Sequence, residues 1–134
     1  MKTILFVDDD DAFRRLAKVI FEEEGYRVVT AGDGREALET VTSARPDVAI
    51  LDIRMPKTSG FDVAEELGQL TPEVPIIFYT GNDETCLSDE RSRLGAACIE
   101  KSGDFTELAL AVRRVLSPAR RREGCRVGLP PQPR

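Results

Sequence analysis

A chain of 134 residues with 41% apolar content can bury one ordinary core and is too short for two comfortable domains. Nineteen Lys plus Arg against 24 Asp plus Glu give a net charge of −5, which argues against a body that covers nucleic-acid phosphates. Histidine is absent altogether, which removes the commonest general base, the usual zinc ligand and every Ser-His or Cys-His pair.

In chain order, the apolar run Ile4–Val7 predicts a first strand, closed by four aspartates, Asp8 to Asp11. Those aspartates deny the run any role as a signal segment or membrane span. Phe13, Leu16, Ala17 and Ile20 follow at i, i+3, i+4, i+7 spacing and predict a helix that Asp10 and Asp11 cap and Gly25 stops. Val28–Thr30 reads as a second strand. Asp33 with Glu36 resembles a capping box for a helix through Ala37, Leu38 and Val41. Val48–Leu51 is a third strand leading into Asp52, and Val63, Ala64, Leu67 and Leu70 supply the next helical face. Ile76–Tyr79, a fourth strand, is followed by Thr80. Glu84–Leu94 is the weakest helical segment, with only Cys86, Leu87 and Leu94 apolar, and is expected to be a movable element. Ala97–Ile99 makes a fifth strand leading to Lys101, and Phe105, Leu108, Ala109, Val112, Val115 and Leu116 repeat the helical spacing most cleanly. Strands alternating with helices imply right-handed crossovers and a parallel sheet covered on both sides, a three-layer α/β fold.

From Ser117 the pattern stops. Five arginines (Arg120, Arg121, Arg122, Arg126, Arg134) against Glu123 leave 117–134 at +4, so residues 1–116 carry −9. The expected organisation is one domain over 1–116 and a basic, Pro/Arg-rich flexible tail or linker over 117–134. The Arg120–Arg122 run is ordinarily a solvated linker. Cys86, Cys98 and Cys125 form no C-x-x-C pair and leave an odd thiol, the pattern of a reducing compartment, so a cytoplasmic protein is expected. Cys98 itself reads as a small buried apolar residue.

In an open parallel sheet, ligands bind outside the carboxyl ends of the strands. Strand one ends in Asp8-Asp9, strand three in Asp52, strand four in Thr80 and strand five in Lys101, so five polar residues share one rim. Helix capping accounts for Asp10 and Asp11 but not for Asp52 and Lys101 at the ends of other strands. Carboxylates brought to ~4 Å repel by roughly 4 kcal/mol per pair at an effective dielectric near 20, so three of them call for a cation. Lys101 and a metal are on offer. Hard oxygen donors without His or paired Cys select Mg²⁺ or Mn²⁺ over zinc. A carboxylate beside Mg²⁺ and an ammonium is a reasonable phosphoryl acceptor, since transfer chiefly needs alignment and charge neutralisation.

The residues Val7-Asp8-Asp9, Leu51-Asp52-Ile53-Arg54-Met55-Pro56 with Gly60 downstream, Tyr79-Thr80-Gly81, and Gly95-Ala96-Ala97 leading to Lys101 occur here in an order that resembles the receiver domains of two-component response regulators, over about residues 3–116. The resemblance implies a flavodoxin-like (βα)5 sandwich with strand order 2-1-3-4-5. It implies Asp52 as phosphoacceptor, Asp9 as a direct Mg²⁺ ligand, Asp8 as a ligand through water, and Arg54 contributing its backbone carbonyl. Thr80 would bond the acquired phosphoryl oxygen, Lys101 would pair with it, and Gly81 would leave access. The implied donor is a histidine kinase or phosphotransfer protein, or a small phosphodonor, and the implied output is a changed affinity for a downstream effector or output domain, with homodimerisation on phosphorylation a further expectation. Such a domain catalyses only its own aspartyl phosphorylation and dephosphorylation. Neither a membrane nor a nucleic acid is an expected partner of the body.

Two positions depart from the family. Three residues before the lysine, where an aromatic is usual, stands Cys98, and after the lysine, where a commonly cis proline is usual, stands Ser102. A cis Lys101–Ser102 bond would cost ~3–4 kcal/mol, so a trans bond is expected. These departures motivate a rival, a degenerate receiver that binds partners without phosphorylation. An Asp-nucleophile phosphatase of the haloacid dehalogenase type would want a second Asp where Arg54 stands. A flavin carrier would want a hydroxyl-rich loop where residues 8–12 are acidic.

Overall fold

A parallel strand buried on both faces needs an unbroken apolar run rather than alternation, and this chain supplies three, at Ile4–Val7, Val48–Leu51 and Ile76–Tyr79, with two less buried runs for the edges. The computed structural model describes residues 1–81, 90–101 and 105–117. It contains β1 (Thr3–Val7), α1 (Asp11–Glu23), β2 (Arg27–Ala31), α2 (Gly34–Ala44), β3 (Val48–Asp52), α3 (Gly60–Leu70), β4 (Ile76–Thr80), a 3-10 turn (Glu90–Leu94), β5 (Ala97–Glu100) and α4 (Thr106–Leu116). All neighbouring strands pair in parallel, in the order β2-β1-β3-β4-β5, as the resemblance implies. The order reverses between β1 and β3, which places the crevice of such a sheet between their carboxyl ends.

Alternate residues of each strand feed two separate cores. Ile4, Phe6, Val48, Ile50, Ile77 and Tyr79 face α1 and α4, where Ala17, Phe21, Leu108 and Val112 meet them. Leu5, Val7, Ala49, Leu51, Ile76 and Phe78 face α2 and α3, meeting Ala37, Val41, Phe61 and Leu67. Among the described residues no helix is long and apolar enough to cross a membrane.

The helix ends follow the sequence closely. Asp10 caps α1, its carboxylate accepting from the backbone N–H of Ala12 and Phe13, and Asp11 sits in the first turn, pairing with Arg14 and Arg15. Just past α1, Gly25 takes φ 99°, a conformation that side chains resist. The expected capping box at α2 is half formed. Asp33 accepts from the Glu36 N–H at 2.8 Å, but Glu36 reaches back to the Gly32 N–H at 2.7 Å rather than to Asp33.

Of the expected Glu84–Leu94 helix, residues 84–89 lie outside the described residues, and Glu90–Leu94 is a 3-10 turn with no buried residue. It is tied to α3 by Arg91, which donates to Asp62 at 2.6 Å and lies 5.3 Å from the centre of the Phe61 ring. The 118–134 part of the expected tail and Ser102 also lie outside the described residues.

One glycine holds the crevice in shape. The N-terminus of α3 presses on the end of β3, where the Gly60 N–H donates to the Ile53 carbonyl at 2.8 Å and a Cβ would come within 2.9 Å of the Ile53 Cα. The clash is with backbone, so neither side can yield cheaply. Gly60→Ala is expected to cost about 1–3 kcal/mol in urea unfolding, and an unchanged midpoint would show that the loop after Asp52 is slack.

Candidate functional site

β1, β3, β4 and β5 end at one rim, and the register decides which ends meet. Val7 of β1 pairs with Leu51 of β3, so Asp8 and Asp52, each one residue on, stand side by side across the crevice. Asp52 in turn pairs with Tyr79, and Thr80 with Glu100, which brings Lys101 next to Thr80. The Lys101 N–H donates to the Thr80 carbonyl at 2.7 Å. All five sequence-predicted rim residues therefore sit at the same edge.

The carboxylates converge. Asp8, Asp9 and Asp52 each offer an oxygen, and the three lie within 4.8 Å of one another. Asp8 and Asp52 are buried, at 1% and 6% exposure, and Asp9 is exposed. Lys101 reaches in from β5 to donate to Asp8 Oδ2 at 2.8 Å and stands 3.3 Å from Asp52 Oδ2. The other oxygens are also engaged: Asp8 Oδ1 accepts from the Asp10 N–H at 2.9 Å, and Asp52 Oδ1 from the Arg54 N–H at 3.3 Å. One ammonium facing two buried carboxylates leaves net negative charge in a poorly solvated place.

That imbalance shows in the proton affinities. Burial, with the neighbouring charge of Asp8, pushes the Asp52 carboxyl up from 3.8 to about 6 despite the opposing pull of Lys101. Burial works against the Lys101 ammonium, but its hydrogen bond to Asp8 and the charges of Asp52 and Asp8 outweigh that and raise its pKa. The site thus holds its lysine charged and its central carboxylate reluctantly so.

A hard divalent cation fits this donor set. The three carboxylates offer oxygens within 4.8 Å of one another, close enough to share one divalent ion either directly or through water. No nitrogen or sulfur ligand stands in the cluster, which disfavours zinc.

Two residues that sequence reasoning passed over as core and surface lie against the site. Arg14 donates to the Asp8 backbone carbonyl at 2.5 Å while pairing with Asp11, pinning the end of β1. Phe13 lies under Lys101, with its ring centre 4.9 Å from the ammonium. Their one sequence signal is position, since both fall in the first turn of the helix that follows the acidic run. Cys98, expected as a buried apolar residue, is half-buried and packs against the α2–α3 core.

A five-stranded parallel sheet with a buried aspartate at its switch point, flanked by an acidic pair and a lysine, defines a class of phosphoacceptor module. The family model for the response regulator receiver domain matches residues 4–113, and the chain belongs to that family. It is 32% identical over 114 residues to sporulation initiation phosphotransferase F of Bacillus subtilis, covering 84% of this chain and 92% of that protein. It is 40% identical over 83 residues to the alkaline phosphatase synthesis transcriptional regulatory protein PhoP of the same organism, covering 62% of this chain but only 35% of PhoP. The chain thus spans about a third of that longer relative. Among solved structures it resembles the response regulator TrrA of Thermotoga maritima in complex with Mg²⁺-BeF, with a TM-score of 0.82 and 40% identity over 87% of this chain and 100% of that one. TrrA in complex with the histidine kinase ThkA matches with a TM-score of 0.80 at the same identity and coverage.

Proposed function

We propose that residues 1–116 form a phosphoacceptor receiver domain that takes a phosphoryl group onto Asp52 from a histidine kinase or phosphotransfer protein and thereby changes its affinity for a downstream protein. The observation that carries the reading is the buried Asp52 carboxylate, gathered with Asp8 and Asp9 and faced by Lys101. The binding of Mg²⁺-BeF and of a histidine kinase by the 40%-identical TrrA supports it.

In this reading Asp9, Asp52 and the Arg54 carbonyl would hold Mg²⁺ directly and Asp8 would hold it through water; Mn²⁺ would suit the same oxygens. Bound there, the metal supplies the positive charge that offsets the oxygens of the incoming phosphoryl group. The Asp52 carboxylate oxygen attacks phosphorus in line with the donor's leaving nitrogen, the P–N bond breaks as the P–O bond forms, and the departing imidazole nitrogen takes a proton from water, since the attacking carboxylate has none to give. Lys101, already within reach of Asp52, turns its ammonium to the new phosphoryl oxygens, and Thr80, at the end of the adjoining strand, donates its hydroxyl to another. The added charge of about −1.5 to −2 is what these residues sense. Because these 134 residues contain no histidine, the phosphohistidine donor lies outside them. A cytoplasmic location follows from that donor, since kinase phosphohistidine is made from ATP inside the cell. Residues 117–134 are an appended basic segment, and the effector is a protein rather than a nucleic acid or membrane.

The test is beryllofluoride with Mg²⁺. A phosphate-driven module binds it and shifts its affinity for the partner kinase or effector, whereas equal affinity with and without it would favour the phosphate-independent rival. Arg54 is exposed beside the acceptor, its own N–H on Asp52, and is placed to obstruct attacking water. Arg54→Ala is therefore expected to shorten the phosphoryl lifetime. An unchanged hydrolysis rate would remove Arg54 from that role; Asn82, its counterpart in related domains, lies outside the described residues.

A further inference from the structure

Lysine has a four-carbon stem with no fixed geometry, so an ammonium that must stay over one carboxylate needs a seat as well as a charge partner. The seat of Lys101 is aromatic. Its ammonium lies 4.9 Å from the centre of the Phe13 ring and 5.8 Å from that of Tyr79. Phe13 is stacked on Tyr79 at 5.8 Å and 26°, and tilted against Phe105 at 5.2 Å, so its ring is held by neighbours on β4 and at the start of α4. Its backbone is held too, because the Phe13 N–H is one of the two that the Asp10 cap accepts from. Phe13 thus belongs both to the first turn of α1, which follows closely on Asp8 and Asp9, and to the cluster beneath Lys101.

The aromatic that related domains place three residues before the lysine is absent here. Cys98 occupies the position, and strand alternation puts it on the α2–α3 side, opposite Phe78. Phe13 approaches from the other face, the α1–α4 side. We propose that Phe13 is a positioning residue for phosphoryl transfer, its ring face holding the Lys101 ammonium over Asp52. The proposal rests on the reading of Asp52 as acceptor and Lys101 as its cationic partner. With the ring gone, a lysine side chain that is 25% exposed can swing toward water while keeping its hydrogen bond to Asp8.

The experiment measures the rate of phosphoryl incorporation from acetyl phosphate with saturating Mg²⁺, followed by intact mass. A cation–π contact at a half-buried site corresponds to about three- to thirtyfold in rate, so Phe13→Leu, which keeps the apolar bulk, is expected to slow the wild-type chain by that factor. Phe13→Tyr, which keeps the ring face, is expected to stay within about twofold. In a Lys101→Met background Phe13→Leu is expected to cause no further loss, because its effect acts through the ammonium. The Lys101 ammonium ¹⁵N resonance is expected to move in Phe13→Leu and hold in Phe13→Tyr. A wild-type rate in Phe13→Leu, or a loss that persists in full on the Lys101→Met background, overturns the proposal while leaving the acceptor reading intact. Absence of any adduct on the wild-type chain overturns the acceptor reading and this proposal with it.

Discussion

Asp52→Asn is expected to stabilise the Mg²⁺-free protein at pH 7 by up to about 3 kcal/mol, at about 1.4 kcal/mol for each unit between its ordinary pKa and its folded one. The folded protein holds the Asp52 proton more tightly than the unfolded chain does, with the carboxyl at about 6 rather than 3.8. Its contribution to stability is therefore fully present below about pH 4 and is lost as pH rises through the folded value near 6. The amide mimics the protonated acid at every pH, so the advantage of Asp52→Asn should vanish near pH 4 and grow through pH 6. Urea unfolding of both proteins across that range, without metal, measures it. A difference independent of pH would mean that the buried acidic cluster is not strained by its own charge. The same reluctance to ionise makes a divalent cation welcome, so Mg²⁺ should recover much of the stability in the native chain and little in Asp52→Asn.

Lys101→Met is expected to reduce phosphoryl incorporation by about 10²- to 10³-fold, the scale seen when one charge-stabilising donor is removed from a reacting centre. Lys101 touches both Asp8 and Asp52, and its charge and hydrogen bond both hold the Asp52 carboxyl down. Methionine keeps the stem but leaves the two buried carboxylates facing each other, so Asp52 becomes a weaker acid still and spends more time protonated. Raising the pH should then restore part of the rate in Lys101→Met. A variant within about threefold of the native rate would show that the lysine takes no part in the transfer.

Much of this site is legible in the amino-acid order, for a definite reason. Parallel strands advertise themselves as short apolar runs, and the polar residues that end them fall at one edge by topology. Val48–Leu51 followed by Asp52, and Ala97–Ile99 leading to Lys101, therefore place the acceptor and the ammonium together. Strand limits differ by a residue or so, as in Arg27–Ala31 against the expected Val28–Thr30. What spacing does not convey is direction in space. Phe13 begins a helical apolar face and reads as core, yet its ring also lies under the Lys101 ammonium. Arg14 is one of two adjacent arginines with identical sequence credentials, and only the geometry shows that it, rather than Arg15, donates to the Asp8 carbonyl. Nor does composition distinguish an α-helix from the 3-10 turn at Glu90–Leu94, because a segment that buries nothing carries no apolar period to read.

The account stands or falls on Asp52 as the acceptor. The most direct measurement is the intact mass of the native chain and of Asp52→Ala after incubation with acetyl phosphate or phosphoramidate, with and without Mg²⁺. A single phosphoryl adduct that needs Mg²⁺ and is absent from Asp52→Ala is the predicted result. No adduct from either donor, or an adduct that survives in Asp52→Ala, would contradict it.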